Sequence, residues 1–400
     1  MSVSPARRAA YEVVRRVFEE DAYADRALRS AVEGLDERER AFAQQLAYGT
    51  VQRVRTLDHA IDTLGKRPVR KLDPPVRASL RLGAYQLGFL DVAPHAAANE
   101  SVELVRGAGL ERAVPFTNAV MRRLAEGVGR LLASLPEGPL KHSYPDWIFD
   151  VWQRDFGPEG ALSLMRAQNE PPELVVRGQV EDGEQTDVPG AYRVARVDER
   201  ALAEGRIWPQ SRASQLAALA VGARDGERIL DACAAPGGKA TMLRGEVTAI
   251  EVNDARAREL EENARRLGAM NVHVVRADAT QLPPELGSFD RALVDAPCSG
   301  LGVLARRPDL RWRAKPLPEL QLALLRAAAE RVRQGGVVVY SVCTLNADEN
   351  EAVVDASGLE SDSTLAAEWP HYRHPRRPEF LLTRPDVHGT SGFFVARLRV

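Results

Sequence analysis

The feature that most constrains this chain is a change of hydrophobic period part-way along it. From about Ser214, short apolar runs recur at 228–232, 247–252, 272–276, 291–295 and 337–341, with a last run at 392–398. Helical stretches separate most of them. Strands alternating with helices predict a parallel sheet, because parallel neighbours need a crossover and not a tight turn. The first third of the chain shows no alternation of period two. Ser4-Pro5 and Pro74-Pro75 mark helix starts there, and Asp36 with Glu39 makes a capping box. Tyr11, Val14, Val17 and Phe18 fall on one helical face, as do Leu82, Tyr85 and Phe89. The expected organisation is a helical domain over 1–126, a turn-rich linker over 127–145, a small subdomain over 146–210 and an α/β domain over 211–400.

At 400 residues the chain is too long for one ordinary domain. No apolar run reaches about 18 residues, and the N-terminus lacks an apolar core, which argues against a membrane span and a secretory signal. Three cysteines are too few for a disulfide scaffold, so a reducing cytoplasm is the expected location. The net charge of -2 conceals an uneven distribution. Residues 1–130 carry 21 basic against 17 acidic side chains, whereas 131–230 carry 11 against 16. The helical third is thus the only basic segment. Of 54 basic residues only five are lysine. Arginine suits bidentate phosphate contacts and stacking, although a genome-wide codon bias gives the same excess.

The first strand of the α/β region runs into Asp231-Ala-Cys-Ala-Ala-Pro-Gly-Gly-Lys239. Ligands of open α/β sheets bind beyond the carboxyl ends of the strands. A glycine pair admits a ligand close to the backbone, and a helix starting near Lys239 would attract a carboxylate or phosphate. Neither G-x-G-x-x-G nor G-x-x-x-x-G-K-[ST] is present, which disfavours dinucleotide and phosphate-loop chemistry. The turn suits an amino-acid-bearing nucleoside such as S-adenosyl-L-methionine. Glu251 ends the second strand, placed for ribose hydroxyls, and Asp278 follows the third, placed for an adenine amine. Asp295 ends the fourth. One strand-end acid is usually just solvated. Four in succession point to a nucleoside site.

Cys298 and Cys343 follow the ends of adjacent strands. A lone cysteine is usually a small buried hydrophobe. Two beside a nucleoside site suggest thiolate chemistry, with helix N-termini and arginines expected to lower a thiol pKa. No C-x-x-C or histidine pair accompanies them, so zinc spacing is absent and no metal is expected. Carbon 5 of a pyrimidine becomes nucleophilic only after a soft nucleophile adds to carbon 6. A thiolate can do this if an acid hydrogen-bonds ring nitrogen 3, a role open to Asp295 if a closed pocket raises its pKa. The second thiol is available to assist product release.

These motifs resemble those of the Sun/RsmB-type ribosomal RNA (cytosine-5)-methyltransferases, and the likeness covers nearly the whole chain. It rests on Cys233–Lys239 (CAAPGGK), Asp295–Gly300 (DAPCSG), Val342-Cys343-Thr344 and Glu349-Asn350-Glu351. Arg81–Leu87, Pro94–Asn99 and Phe116–Arg122 resemble the NusB-like RNA-binding domain of these enzymes. The resemblance implies a class I, Rossmann-like S-adenosylmethionine-dependent fold preceded by an all-α NusB-like domain and a small α+β RNA-binding subdomain. It implies Cys343 as covalent nucleophile and Cys298 as the thiol aiding release. Cofactor contacts are implied for Cys233, Ala234, Ala235, Pro236, Gly237, Gly238, Lys239, Glu251, Asp278 and Asp295. The segment Arg306–Trp312 is implied to border the target base and RNA. The sequence departs from the family pattern in carrying Glu251 where aspartate is usual. Its crossover after the cofactor loop is also short, with room for a stub helix at most.

The expected activity is methylation of carbon 5 of a cytosine in 16S rRNA, either free or in an early small-subunit assembly intermediate, by a cytoplasmic monomer. Transfer RNA is the alternative RNA substrate, since base extrusion serves both. A DNA methyltransferase would use the Pro-Cys thiol, Cys298, as nucleophile instead. A non-catalytic assembly factor would need only the helical bundle and leave the thiols unexplained.

Overall fold

The computed structural model describes residues 3–400. They form two compact units. One holds the described residues up to Asn169 together with Leu304–Arg313, and the other holds Glu170–Val303 with Ala314–Val400. No helix among the described residues is long and apolar enough to cross a membrane.

The first unit is helical: α1 (Pro5–Glu19), α2 (Ala24–Ala31), α3 (Glu37–Gly65), α4 (Pro74–Phe89), α5 (Pro94–Gly107), α6 (Val114–Ser134), α7 (Pro139–His142) and α8 (Asp146–Ala167). Proline stands in the first turn of α1, α4, α5 and α6, where its missing N–H costs nothing. Asp36 caps α3 by accepting from Glu39 N at 2.8 Å. Glu39 does not return the bond as a capping box requires, because its carboxylate accepts from Ala6 N instead. The cap thereby ties α3 to the start of α1. Leu46, Leu57, Ile61, Leu80, Val105 and Met121 form the centre of the core. Helix α6 continues to Ser134, so the stretch expected as a turn-rich connection begins inside a helix. Helix α8 breaks once, at Gly157-Pro158, where Gly157 takes φ 75°.

The excursion Leu304–Arg313 also belongs to this unit and ends in α12 (Leu310–Arg313). Arg311 is wholly buried and donates to the carbonyls of Gln52, Ser143 and Gln168, its guanidinium 3.9 Å from the Tyr144 ring centre. Burial pushes Arg311 down to about 10. Trp312 donates its indole N–H to Val51 O at 2.7 Å.

The second unit opens with β1 (Val175–Gly178), β2 (Glu184–Gln185), β3 (Ala191–Arg193), α9 (Glu199–Ala203) and β4 (Ile207–Pro209). These strands form an antiparallel sheet in the order β2-β3-β1-β4. Then follow α10 (Arg212–Leu219), β5 (Arg228–Asp231), β6 (Glu246–Ile250), α11 (Asp254–Arg266), β7 (Val272–Val275), β8 (Phe289–Asp295), α13 (Pro318–Ala329), β9 (Val332–Val342), α14 (Glu351–Ser357), β10 (Glu360–Ser361), β11 (Leu381–Thr383) and β12 (Phe393–Arg399). The main sheet runs β7-β6-β5-β8-β9-β12-β10, with β11 also paired to β12. Strands β5 to β9 are parallel, and β12 is antiparallel to β9. Ile229, Val247, Leu293, Val339 and Val395 are fully buried along its faces. Chain order reverses between β5 and β8, which is where such sheets leave a crevice for ligands.

Between β5 and β6 there is only a 3-10 turn, Ala240–Met242, so the helix expected to begin near Lys239 is not formed. The crossover is too short for one. Thr241 folds back instead, its N–H and hydroxyl both donating to Gly237 O, at 3.0 and 2.7 Å.

Candidate active site

The switch point sets Asp231 at the end of β5 beside Asp295 at the end of β8, since Asp231 is in register with Leu293. Asp295 is held from both sides. Its Oδ2 receives Lys239 Nζ at 2.6 Å and its Oδ1 receives Ser341 Oγ at 2.8 Å. Asp231 is buried and accepts only a long bond from Cys233 N at 3.4 Å, and its Oδ2 has no partner among the described residues. Burial, with the neighbouring charge of Asp295, pushes its carboxyl up to about 7. Burial and the nearby Asp231 and Asp295 carboxylates push the Cys233 thiol up as well.

The Cys233–Lys239 loop turns through a cis bond before Pro236 and through Gly237 at φ 104°. A Cβ on Gly237 would lie 2.7 Å from Leu260 Cδ1, and one on Gly238 3.0 Å from Trp208 Nε1. Arg177 donates to Gly238 O and Thr241 Oγ1, and Arg256 donates to Ala235 O. The loop is thus fixed by side chains and not by a helix dipole. Glu251, almost fully buried, accepts from Asn253 N at 2.9 Å. Asp278 is exposed, and two hydrogen bonds from Thr280 hold its carboxyl below the usual range.

Cys298 and Cys343 are free thiols whose sulfurs lie 3.4 Å apart. That is a hydrogen-bond distance, well beyond a disulfide at about 2.05 Å. Cys343 is pulled below the usual thiol range by the bond from Cys298, with Lys239 adding to the effect. Cys298 is pushed up by the same bond, by burial and by the charge of Glu349. The expectation of arginines and helix N-termini is not met: among the described residues the acidifying groups are the partner thiol, one lysine and a backbone hydrogen bond at Cys343 itself. Of the two sulfurs, Cys343 is therefore the one that favours the thiolate and Cys298 the one that favours the thiol.

Comparison with known proteins accounts for both units. The profile of "16S rRNA methyltransferase RsmB/F" fits residues 218–399, and that of the NusB family fits residues 4–126. The "Probable ribosomal RNA small subunit methyltransferase B" of Synechocystis is 34% identical, covering 98% of this chain and 99% of the relative. This chain belongs to the RsmB/F family of 16S rRNA methyltransferases. The "Ribosomal RNA small subunit methyltransferase B" of Thermus thermophilus is 38% identical, over 94% of this chain and 92% of its own. The crystal structure of PH0851 shares the fold over the full length of both chains, with a TM-score of 0.81 at 22% identity.

In this RsmB/F family member, the structure brings the loop Cys233–Lys239, Asp295, Cys298 and Cys343 to one edge of the sheet, with Glu251 and Asp278 after the next two strands. It treats Arg306–Trp312 differently from the expectation that this segment borders RNA. Arg311 is buried among backbone carbonyls, while Arg307 and Arg313 pair with Asp25 and Asp21. Sequence reasoning does not single out Ser341 or Glu349 as site residues, nor Gly302, which donates its N–H to Cys343 O at 3.0 Å. Glu349 lies in a quoted motif, Glu-Asn-Glu, but nothing in that run tells the acid buried in the turn before α14 from a solvated one.

Proposed function

We propose that this protein methylates carbon 5 of a cytosine in 16S rRNA with S-adenosyl-L-methionine as donor, through a covalent bond from Cys343 to the base. The observation that carries the reading is the thiol pair. Two sulfurs 3.4 Å apart, with Cys343 shifted toward the thiolate and Cys298 away from it, suit addition and later elimination at carbon 6.

The chain fits the cofactor on its own chemistry. A buried Asp231 oxygen lacks a partner among the described residues, and Glu251 offers a buried carboxylate. We assign Cys233, Ala234, Ala235, Pro236, Gly237, Gly238 and Lys239 to its binding, with Glu251, Asp278 and Asp295. When bound, S-adenosylmethionine supplies an electrophilic methyl group on a sulfonium.

The remaining steps belong to the protein. Cys343, as thiolate, adds to carbon 6 of the extruded base. Asp295, in its protonated form, donates to ring nitrogen 3 as charge develops there, with Lys239 beside it. A water molecule then takes the carbon-5 proton as base, the electron pair left behind re-forms the carbon 5–carbon 6 double bond, and the Cys343 sulfur leaves as the thiolate, stabilised by a hydrogen bond from the Cys298 thiol. The basic helical unit and the small sheet β2-β3-β1-β4 contribute phosphate contacts that position the RNA.

Cys343→Ala should abolish methyl incorporation into small-subunit RNA, and retained incorporation would remove the nucleophile assignment. Cys298→Ala should accumulate a protein–RNA adduct that survives denaturing electrophoresis. Absence of that band would refute the release role. Bisulfite sequencing of RNA from a deletion strain should lose one methylcytosine in 16S rRNA; its loss from a transfer RNA instead would reassign the substrate.

A further inference from the structure

We propose that Glu349 is a positioning residue for the two thiols, fixing the loops that carry Cys298 and Cys343 and deciding which of the pair keeps its proton. This rests on the reading of Cys343 as nucleophile and deepens it. Glu349 is fully buried. A buried carboxylate is costly unless donors fill its lone pairs. Here Oε1 accepts from Ser299 N at 3.0 Å, Leu317 N at 3.1 Å and Gln321 Nε2 at 2.9 Å. Oε2 accepts from Ser299 Oγ and from Asn346 Nδ2. The donors come from the loop after β8, the start of α13 and the loop after β9.

The points of attachment are specific. Ser299 directly follows Cys298, and Thr344 directly follows Cys343. Ser299 Oγ lies 2.7 Å from Thr344 Oγ1, so the serine donates to Glu349 and accepts from the threonine. Asn350 Nδ2 donates to Thr344 O, and Gln321 Nε2 also donates to Pro297 O, on the other side of Cys298. The carboxylate thus reaches the residue after Cys298 directly, and the residue after Cys343 through the Ser299 hydroxyl.

Charge then separates the pair. Cys298 is faced by Glu349, by the Tyr340 hydroxyl and by Cys343, none of them a cation. Cys343 is faced by Cys298, Asp295 and the Lys239 ammonium. A second negative charge is therefore resisted at Cys298 and tolerated at Cys343, which sets the sense of the sulfur–sulfur hydrogen bond.

The test is Glu349→Gln in the full-length protein, with the rate of iodoacetamide alkylation at each cysteine followed by mass spectrometry across neutral to alkaline pH. The amide keeps the shape and the Oε1 acceptor while removing the charge. In the parent protein Cys343 should alkylate first. In the variant, Cys298 should gain about tenfold in rate near neutral pH, as a tenfold more acidic thiol would. Turnover should fall while KM for RNA stays within about twofold. An unchanged Cys298 profile, or equal acceleration of both thiols as loosened packing alone would give, overturns the proposal. Should Glu349→Gln not fold, Ser299→Ala retains the carboxylate and its backbone donor while removing the hydroxyl bridge. It should lower kcat with the Cys298 profile unchanged, and a parental kcat would overturn the bridging role. Alkylation needs no RNA, so the two readings fail separately. Retained methyl incorporation in Cys343→Ala removes the nucleophile reading, whereas an unchanged thiol profile with Cys343→Ala inactive removes only the role of Glu349.

Discussion

Asp231→Asn should make the sheet unit more stable at neutral pH and remove a pH dependence that the parent protein carries. The carboxyl of Asp231 is 1% exposed, one of its oxygens has no partner, and burial beside Asp295 raises it from 3.8 to about 7. The folded state thus binds this proton more tightly than the unfolded chain does. Its stabilising contribution is complete below the unfolded value of 3.8 and is lost as pH rises through the folded value of about 7. At about 1.4 kcal/mol for each tenfold change in proton affinity, that rise corresponds to a swing on the order of 4 kcal/mol. Asparagine has the same shape and no charge to desolvate. Urea unfolding of parent and variant between about pH 5 and 8.5 should show the variant's advantage growing by up to about 1.4 kcal/mol per pH unit and levelling off above pH 7. Subtracting the two curves cancels the histidines and other carboxylates they share. A difference that stays flat with pH would refute the argument that Asp231 is a strained, proton-holding carboxylate.

Other perturbations follow from close contacts. Gly302→Ala would set a Cβ 2.0 Å from Gly392 O, and Gly302 N holds Cys343 O, so backbone must move at the Cys343 loop. We expect a loss of roughly 2–3 kcal/mol in stability and a fall in kcat, checked by thermal melts and methylation assays; a parental melt would contradict the packing. Arg311→Met removes a buried donor shared by the carbonyls of Gln52, His142, Ser143 and Gln168, of which His142 and Gln168 keep another donor, and should cost about 1–3 kcal/mol. Proteolysis of the helical unit should accelerate accordingly, and unchanged resistance would mean that the carbonyls find other donors. Gly237→Ala adds a Cβ 2.7 Å from Leu260 at φ 104° and should weaken cofactor binding, measured calorimetrically, more than it weakens RNA binding.

Much of the fold is legible in the sequence because local chemistry and global architecture agree. The apolar runs at 228–232 and 291–295 are β5 and β8, and Pro5, Pro74 and Asp36 open helices as their backbone preferences require. The short crossover after the cofactor loop is legible too, since it leaves room for a stub helix at most and forms a 3-10 turn. The burial of charged side chains is not legible. Arg311 reads as one of several exposed arginines near a base pocket because sequence spacing cannot tell a solvated guanidinium from a buried one. Its burial follows from tertiary acceptors in Gln52, Ser143 and Gln168, far away in the chain. Glu349 is the same case in reverse, since its donors Ser299, Leu317 and Gln321 are also remote in sequence.

The buried carboxylates Asp231 and Glu349 show how differently one unit treats the same group. Glu349 has both oxygens occupied by donors from three segments, so its charge adds rigidity to the thiol loops. Asp231 has one weak backbone donor and a like charge nearby, an arrangement that destabilises the fold near neutral pH. A fold tolerates such a cost where the group serves a ligand, and the strand switch point is where ligands of this sheet type bind. The satisfied acid thus marks where the protein must not move, and the unsatisfied one marks where something else must come.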